Sequence, residues 1–262
     1  MKKLSLAILF LTLIFTASLS QQSPDINKTD SQGRKQGHWI KKDNSGIILY
    51  DGFFKDNHPV GEFKRYYANQ NLLSLLVYSQ DGKTADATLY YPNKFIASSG
   101  RYVDQKKEGK WKFYSSTVQG YLINEEMYKA NRKNGLSVKF YPDSTVAEKI
   151  NFVNDIREGE WTQYQENGKL LLRGTYARNY LNGKFEAWYD NGKLYMTGLY
   201  KDNRKDGKWS IYKKDGTLKY VLNYIDGMTS DRQMDLDDTN FFDNLDRNKG
   251  RIPDPAKTGV IR

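Results

Sequence analysis

The chain has 262 residues, no cysteine and two histidines, with 41 Lys and Arg against 31 Asp and Glu for a formal charge of +10. Without thiols there can be no disulfide staple, no lipid attached at cysteine and no Cys-based zinc site, and two histidines leave little for any other transition metal. Aromatic residues reach 14 %, including 20 tyrosines, so burial relies on flat rings more than on a thick aliphatic core.

In chain order, Lys2 and Lys3 precede an apolar and small run from Leu4 to Ala17, and Ser18-Leu19-Ser20 follows. This is the pattern of a secretory signal peptide over residues 1–20, cleaved between Ser20 and Gln21. The alternative, a membrane anchor, needs ~20 apolar residues, and Gln21-Gln22-Ser23-Pro24 ends the run too early. The mature protein is expected in the periplasm or at the outer membrane, or secreted, and it is no lipoprotein. Its basic charge could suit nucleic acid or anionic lipid. Lys and Arg are spread along the chain beside Asp, Glu and Asn at the turns, however, which reads as a solvated surface and argues against nucleic acid.

After an N-terminal segment, 21–36, the chain repeats every 24 residues from Gly37 to 227, with blocks opening at Gly37, Gly61, Ala85, Gly109, Gly135, Gly159, Gly183 and Gly207. The step from Gly109 to Gly135 carries two extra residues, expected within Val118 to Asn124. A fixed period of this size marks an array whose unit cannot bury its apolar face alone. Asn167-Gly168, Asn191-Gly192 and Asp215-Gly216 sit mid-block, with Ser45-Gly46 a weaker form, and predict type I′ hairpin turns with positive φ at both central residues. Short segments rich in Tyr, Trp, Phe, Leu and Thr flank them and read as strands, and a polar turn leads into the next block.

Four columns recur. The third position reads Trp39, Phe63, Ala87, Trp111, Ser137, Trp161, Phe185 and Trp209. The sixth reads Lys42, Tyr66, Tyr90, Tyr114, Phe140, Tyr164, Trp188 and Tyr212. The second strand carries an aliphatic column from Ile48 to Leu218 and an aromatic one from Phe54 to Tyr224. Positions three and six differ by an odd number, so a regular strand sends them to opposite faces; either a bulge intervenes or both faces carry aromatics, and the second is favoured. The expected fold is all-β, an elongated single-layer antiparallel meander of about eight 24-residue hairpins, ~75 Å long at ~4.8 Å per strand. Its open edges need cover, and the segment 21–36 and the tail 228–262 are placed to supply it.

The pattern Gly-Lys-Trp/Phe-x-x-Tyr/Trp-x-x-Asn-Gly-x-Leu, followed by Gly-x-Tyr-x-x-Asn, resembles the bacterial variant of the MORN repeat. The blocks at Gly159, Gly183 and Gly207 match best, and those at Gly109 and Gly61 less well. The blocks at Ala85 and Gly135 depart, with Pro92-Asn93-Lys94 and Pro142-Asp143-Ser144 in place of the Asn-Gly turn. The resemblance implies rows of hairpins acting as scaffolds or binding platforms for proteins or lipids. Family members also carry an antitoxin-like label, and no catalytic residue comes with the resemblance.

No catalytic constellation is visible either. His38 and His58 have no partner at metal-ligand spacing, acidic residues recur at turns, and no phosphate loop or serine elbow is present. No enzyme activity, metal or cofactor is expected. The tail passes through Phe241-Phe242, which read as either part of a flexible end or a docking segment. The candidate contact residues are therefore Tyr66, Tyr90, Tyr114, Phe140, Tyr164, Trp188 and Tyr212, with Phe241 and Phe242. The expected function is a protein-binding scaffold or accessory subunit of an envelope assembly. Binding of an envelope glycan or anionic lipid is the alternative, and neutralisation of a toxin comes third.

Overall fold

A computed structural model describes residues 25–232 and 234 and contains a single 18-stranded sheet. Sixteen strands form eight hairpins in chain order. They are Lys35–Lys42 with Ile48–Lys55, His58–Tyr66 with Leu72–Tyr78, Thr84–Tyr90 with Ile96–Val103, and Lys106–Tyr114 with Leu122–Lys129. The next four are Arg132–Phe140 with Val146–Val153, Ile156–Tyr164 with Leu170–Ala177, Gly183–Trp188 with Leu194–Lys201, and Arg204–Tyr212 with Leu218–Tyr224. Each strand is antiparallel to its sequence neighbours, so the sheet is an open meander, as the period predicts. Two further strands have two residues each: Tyr180–Leu181 opens the seventh hairpin, and Lys28–Thr29 pairs with the first full strand.

That last strand meets the expectation of a covered N-terminal edge. Asn27 hydrogen-bonds both backbone groups of Ile40, accepting from its N–H at 2.8 Å and donating to its carbonyl at 3.0 Å. Of the C-terminal tail, only 228–232 and 234 are described; Phe241 and Phe242 lie outside the described residues, as do the signal segment and its Ser20–Gln21 junction.

The turn expectation needs correction. At Asn191-Gly192 the Gly192 N–H donates to the Tyr189 carbonyl at 2.9 Å, the Tyr189 N–H donates to the Lys193 carbonyl at 2.8 Å, and Gly192 alone takes positive φ (84°). This is a three-residue loop, a type I turn closed by one left-handed residue. Asn191 is there because its Oδ1 accepts the Lys193 N–H at 2.9 Å, an acceptor role that Asn69, Asp143 and Asp215 share. The divergent blocks keep the same loop, with Lys94 (φ 72°) and Ser144 (φ 70°) in the left-handed place. The type I′ turns lie between repeats instead. At Asp202-Asn203 both residues have positive φ (48° and 66°), and Lys201 pairs with Arg204 across them. The polar stretch read as a long turn is thus mostly strand.

The block glycines sit at bulges. Between Leu199↔Asp206 and Thr197↔Ser210 the outgoing strand holds two residues more than its partner, and Gly207 there has φ 64°. Ala85 cannot adopt that conformation cheaply. Its strand pairs without a register shift, and the extra residues move into a longer turn between Ser79 and Thr84. The two-residue insertion likewise lies in a loop, between Ser115 and Tyr121, which overlaps the start of its expected place.

Packing follows a rule between consecutive repeats. Opposite each third-position residue, the return strand carries Gly52, Leu76, Gly100, Glu126, Ile150, Gly174, Gly198 and Leu222. Where that residue is glycine, the next repeat's ring lies on its backbone: a Cβ built on Gly100 would sit 2.4 Å from Trp111, and on Gly198 2.2 Å from Trp209. Trp111 and Trp209 are 0 % and 1 % exposed, and each donates its indole N–H to a carbonyl at 3.1 Å, those of Arg101 and Leu199. Where the preceding residue is large, the next third position is small at Leu76 before Ala87 and Glu126 before Ser137, whereas Ile150 precedes Trp161, which stays half-buried and donates to Glu148. The main apolar core therefore gathers in the last repeats, around Leu172, Phe185, Met196, Trp209, Ile211 and Leu222.

Candidate functional site

The sixth-position column lies on the face away from that core. The Lys149 ammonium stands 5.6 Å from the Tyr164 ring, and the Arg173 guanidinium 5.7 Å from the Trp188 ring. Lys149 and Arg173 pair with the fourth-position residues Thr162 and Glu186, one residue removed from the third-position rings. Both faces thus carry aromatics. A register shift exists as well, between positions five and six (Ile211↔Tyr220, then Tyr212↔Leu218), but its extra residue is on the return strand. Tyr66, Tyr90, Tyr114, Phe140, Tyr164, Trp188 and Tyr212 are all half-buried and form one row; Lys42, which opens the column, is exposed.

Their backbones serve a second column that the sequence reading missed. The Tyr67 hydroxyl donates to the Tyr90 carbonyl at 2.7 Å, Tyr91 to Tyr114 at 3.0 Å, Tyr141 to Tyr164 at 2.7 Å and Tyr189 to Tyr212 at 2.7 Å. The seventh residue of one block is stapled to the sixth of the next. In the Gly109 block that place is Ser115, and Tyr121 from the longer loop reaches the Phe140 carbonyl at 2.8 Å instead. Burial raises the phenol pKa of Tyr67, Tyr91, Tyr121 and Tyr141, so each stays a donor. Recurrence of tyrosine at 67, 91, 141 and 189 was the available signal.

A third column runs along the core face. Lys35, Lys107 and Lys205 hold their ammonium groups 4.7, 4.8 and 5.3 Å from the rings of Trp39, Trp111 and Trp209, and Arg157 lies 4.3 Å from Tyr176. Burial lowers the Lys107 pKa, partly offset by Glu126. Glu126, 6 % exposed, accepts from Asn124 at 2.9 Å and from Tyr128 and Lys133 at 2.5 Å. Burial pushes Glu148 up, but Lys139 at 2.7 Å and hydrogen bonds from Gln163 and Trp161 outweigh it and hold the carboxyl below its ordinary value. These charges fill the middle of the core face and satisfy one another.

The Ala85 repeat is different. A cavity of about 560 Å³ opens on the core face between the first three hairpins, walled by Tyr50, Phe63, Tyr78 and Tyr102, with Ser74 at its floor and Arg65, Lys83 and Gln105 at its margin. A shallower hollow of about 410 Å³ on the opposite face is occupied by the Arg101–Asp86 ion pair at 2.8 Å. His38 and Asp51 pair at 2.6 Å beside Phe53. Among the described residues no three His, Asp or Glu side chains converge as metal ligands.

Comparison with known proteins agrees with this architecture. A family model described as a MORN repeat variant matches residues 157–177, 181–202 and 205–226, three consecutive repeats that include the blocks at Gly159, Gly183 and Gly207. No curated protein matches the chain. A solved structure titled "Crystal Structure of TcdB2-TccC3-TEV" aligns at 10 % identity and a TM-score of 0.20, over 71 % of this chain and 12 % of that one, and bears on neither fold nor function.

Proposed function

We propose that this chain is a non-enzymatic, exported scaffold that binds another protein through the outer face of its sheet, as an accessory subunit of an envelope assembly. The supporting observation is the sixth-position row: seven half-buried aromatics held in register on the face that does not build the core. MORN-type repeats are often protein- or lipid-binding modules, which suits a platform of this kind. Large rings among polar neighbours are the residues that anchor protein interfaces. The test is capture from envelope extracts on the mature chain and on a Tyr114→Ser/Tyr164→Ser variant. A stoichiometric protein retained by the first and lost by the second supports the reading; equal recovery on both refutes it.

Lys149 and Arg173 over Tyr164 and Trp188 favour a second reading, in which the same face meets an envelope glycan or anionic lipid. Sedimentation with peptidoglycan and with anionic vesicles, each at low and raised salt, separates it from the first.

A further inference from the structure

We propose that the cavity beside the Ala85 repeat is a binding site for an acidic sugar, a pyranose ring bearing a carboxylate. This goes beyond the scaffold reading, because it concerns a small ligand in a cavity on the core face, although Tyr90 of the sixth-position row also lines it. The cavity exists because this repeat places small residues where others are large. Ala87 stands where Trp111 and Trp209 stand in their repeats, and Ala97-Ser98 where Leu171-Leu172 and Tyr195-Met196 do. Its volume of about 560 Å³ is in the range of small-molecule sites, ~300–1,000 Å³.

Three features of the lining define the ligand. First, Ser74 is 4 % exposed, lines the cavity, and its Oγ has no hydrogen-bond partner. A buried hydroxyl left unpaired is costly, so an occupant that brings a hydrogen-bonding group is favoured over a hydrocarbon. Second, Lys83 belongs to the cation column of Lys35, Lys107 and Lys205, but Ala87 offers no ring beneath it. Its charge stands at the margin near Asp81, and among the described residues Arg65 opposite has no ion-pair partner. Lys83 already faces Asp81, so Arg65 is the cation that calls for an anion. Third, Tyr50 and Phe63 stack at 5.1 Å and Tyr78 meets Phe63 edge-on at 6.2 Å, so the wall presents aromatic faces and edges. The negative face of an aromatic ring attracts polarised C–H groups, and a pyranose has a C–H face with hydroxyls around its edge. A ring with C–H faces, hydroxyls and one carboxylate matches all three features.

Calorimetric titration of the mature chain with glucuronate and galacturonate, against glucose, tests this. At least one uronate is expected to bind tenfold or more tighter than glucose, and to weaken as salt rises. Arg65→Gln, at an exposed site, should reduce uronate affinity about tenfold, the loss of a charge-assisted contact. Ala97→Leu, which installs the residue found at Leu171, should abolish binding while thermal unfolding shows the fold intact. Uronates binding no tighter than glucose, or Arg65→Gln leaving the affinity unchanged, overturns the proposal. So does an acidic peptide or a fatty acid that binds where neither uronate does. The outer-face variant Tyr114→Ser/Tyr164→Ser should bind uronate normally, so failure here and failure of the scaffold reading are distinguishable.

Discussion

Gly198→Ala isolates the packing rule that holds successive repeats together. One methyl group is added in a strand where alanine is backbone-compatible, so on conformational grounds alone it would stabilise by ~0.4–1 kcal/mol. Here its Cβ would lie 2.2, 2.3 and 2.5 Å from three atoms of the Trp209 indole, separations that real contacts do not permit. Trp209 is 1 % exposed, packs against Phe185 and Tyr200 and donates to the Leu199 carbonyl, so it cannot swing away freely. Overpacking of this kind costs ~1–3 kcal/mol, and displacing the indole forfeits a hydrogen bond worth ~1 kcal/mol. A net loss of about 2–3 kcal/mol follows from those magnitudes. Urea unfolding monitored by tryptophan fluorescence and by far-UV circular dichroism measures it, the second probe checking whether the array unfolds as one unit. Gly174→Ala supplies the graded control: its nearest contacts would be 3.3 and 3.4 Å, within reach of small adjustments, and its cost should stay under ~1 kcal/mol. In a Trp209→Leu background the Gly198→Ala penalty should shrink markedly, a coupling between neighbours. If Gly198→Ala is neutral, or its cost is the same with leucine at 209, the glycine is not there for the ring.

Further outcomes follow from single side chains. Lys94 occupies the left-handed place of its loop (φ 72°), so Lys94→Gly should stabilise by ~0.5–1 kcal/mol in the same unfolding assay, backbone strain outweighing the entropy of glycine. Tyr141→Phe removes the staple to the Tyr164 carbonyl and should cost ~1 kcal/mol; Gln165→Tyr, which adds a staple towards the Trp188 carbonyl where none stands, should recover a comparable amount. Glu148 has a depressed folded pKa, so its contribution is complete above the ordinary glutamate value of ~4.3 and is lost as pH falls through the lower folded value. The acid limb of a stability–pH curve should therefore be shallower in Glu148→Gln than in the parent.

How much was legible depended on whether a feature repeats within one unit or joins two. Hairpins, strand columns and the two aromatic faces follow from spacing inside a block, and they were readable. The inter-repeat contacts were not, because each joins residues of different blocks, 11 positions apart for Gly198 and Trp209 and 22 to 24 for the asparagine clamps. Asn203 illustrates this: its backbone N–H donates to the Leu181 carbonyl at 2.9 Å and its Oδ1 accepts the Leu181 N–H at 2.6 Å, clamping one turn to the preceding strand. Asn57, Asn131 and Asn179 do the same for Lys35, Lys107 and Arg157. As turn formers they looked local; their side chains in fact join repeats. The Asn-Gly signal misled for the opposite reason. It was read as a backbone preference, whereas glycine sets the left-handed residue and the Asx side chain caps the loop.

The two blocks that break the pattern show why a departure in sequence is not by itself a site. Both place a small residue at position three after a large one in the preceding strand, Ala87 after Leu76 and Ser137 after Glu126. At Ser137 the neighbouring space holds the Glu126 carboxylate, which is buried and answered by Asn124, Tyr128 and Lys133; charge there replaces a ring and fills the space, although the Asn124 Oδ1 beside it has no partner. At Ala87 the neighbour is a leucine, which needs no partner and does not reach far enough to close the gap. The cavity remains open, with Ser74 unbonded at its floor and Arg65 and Lys83 at its mouth. The same substitution pattern is thus filled by a carboxylate in one repeat and left open in the other. The open one combines space with an unpaired hydroxyl, and an occupant gains free energy from both.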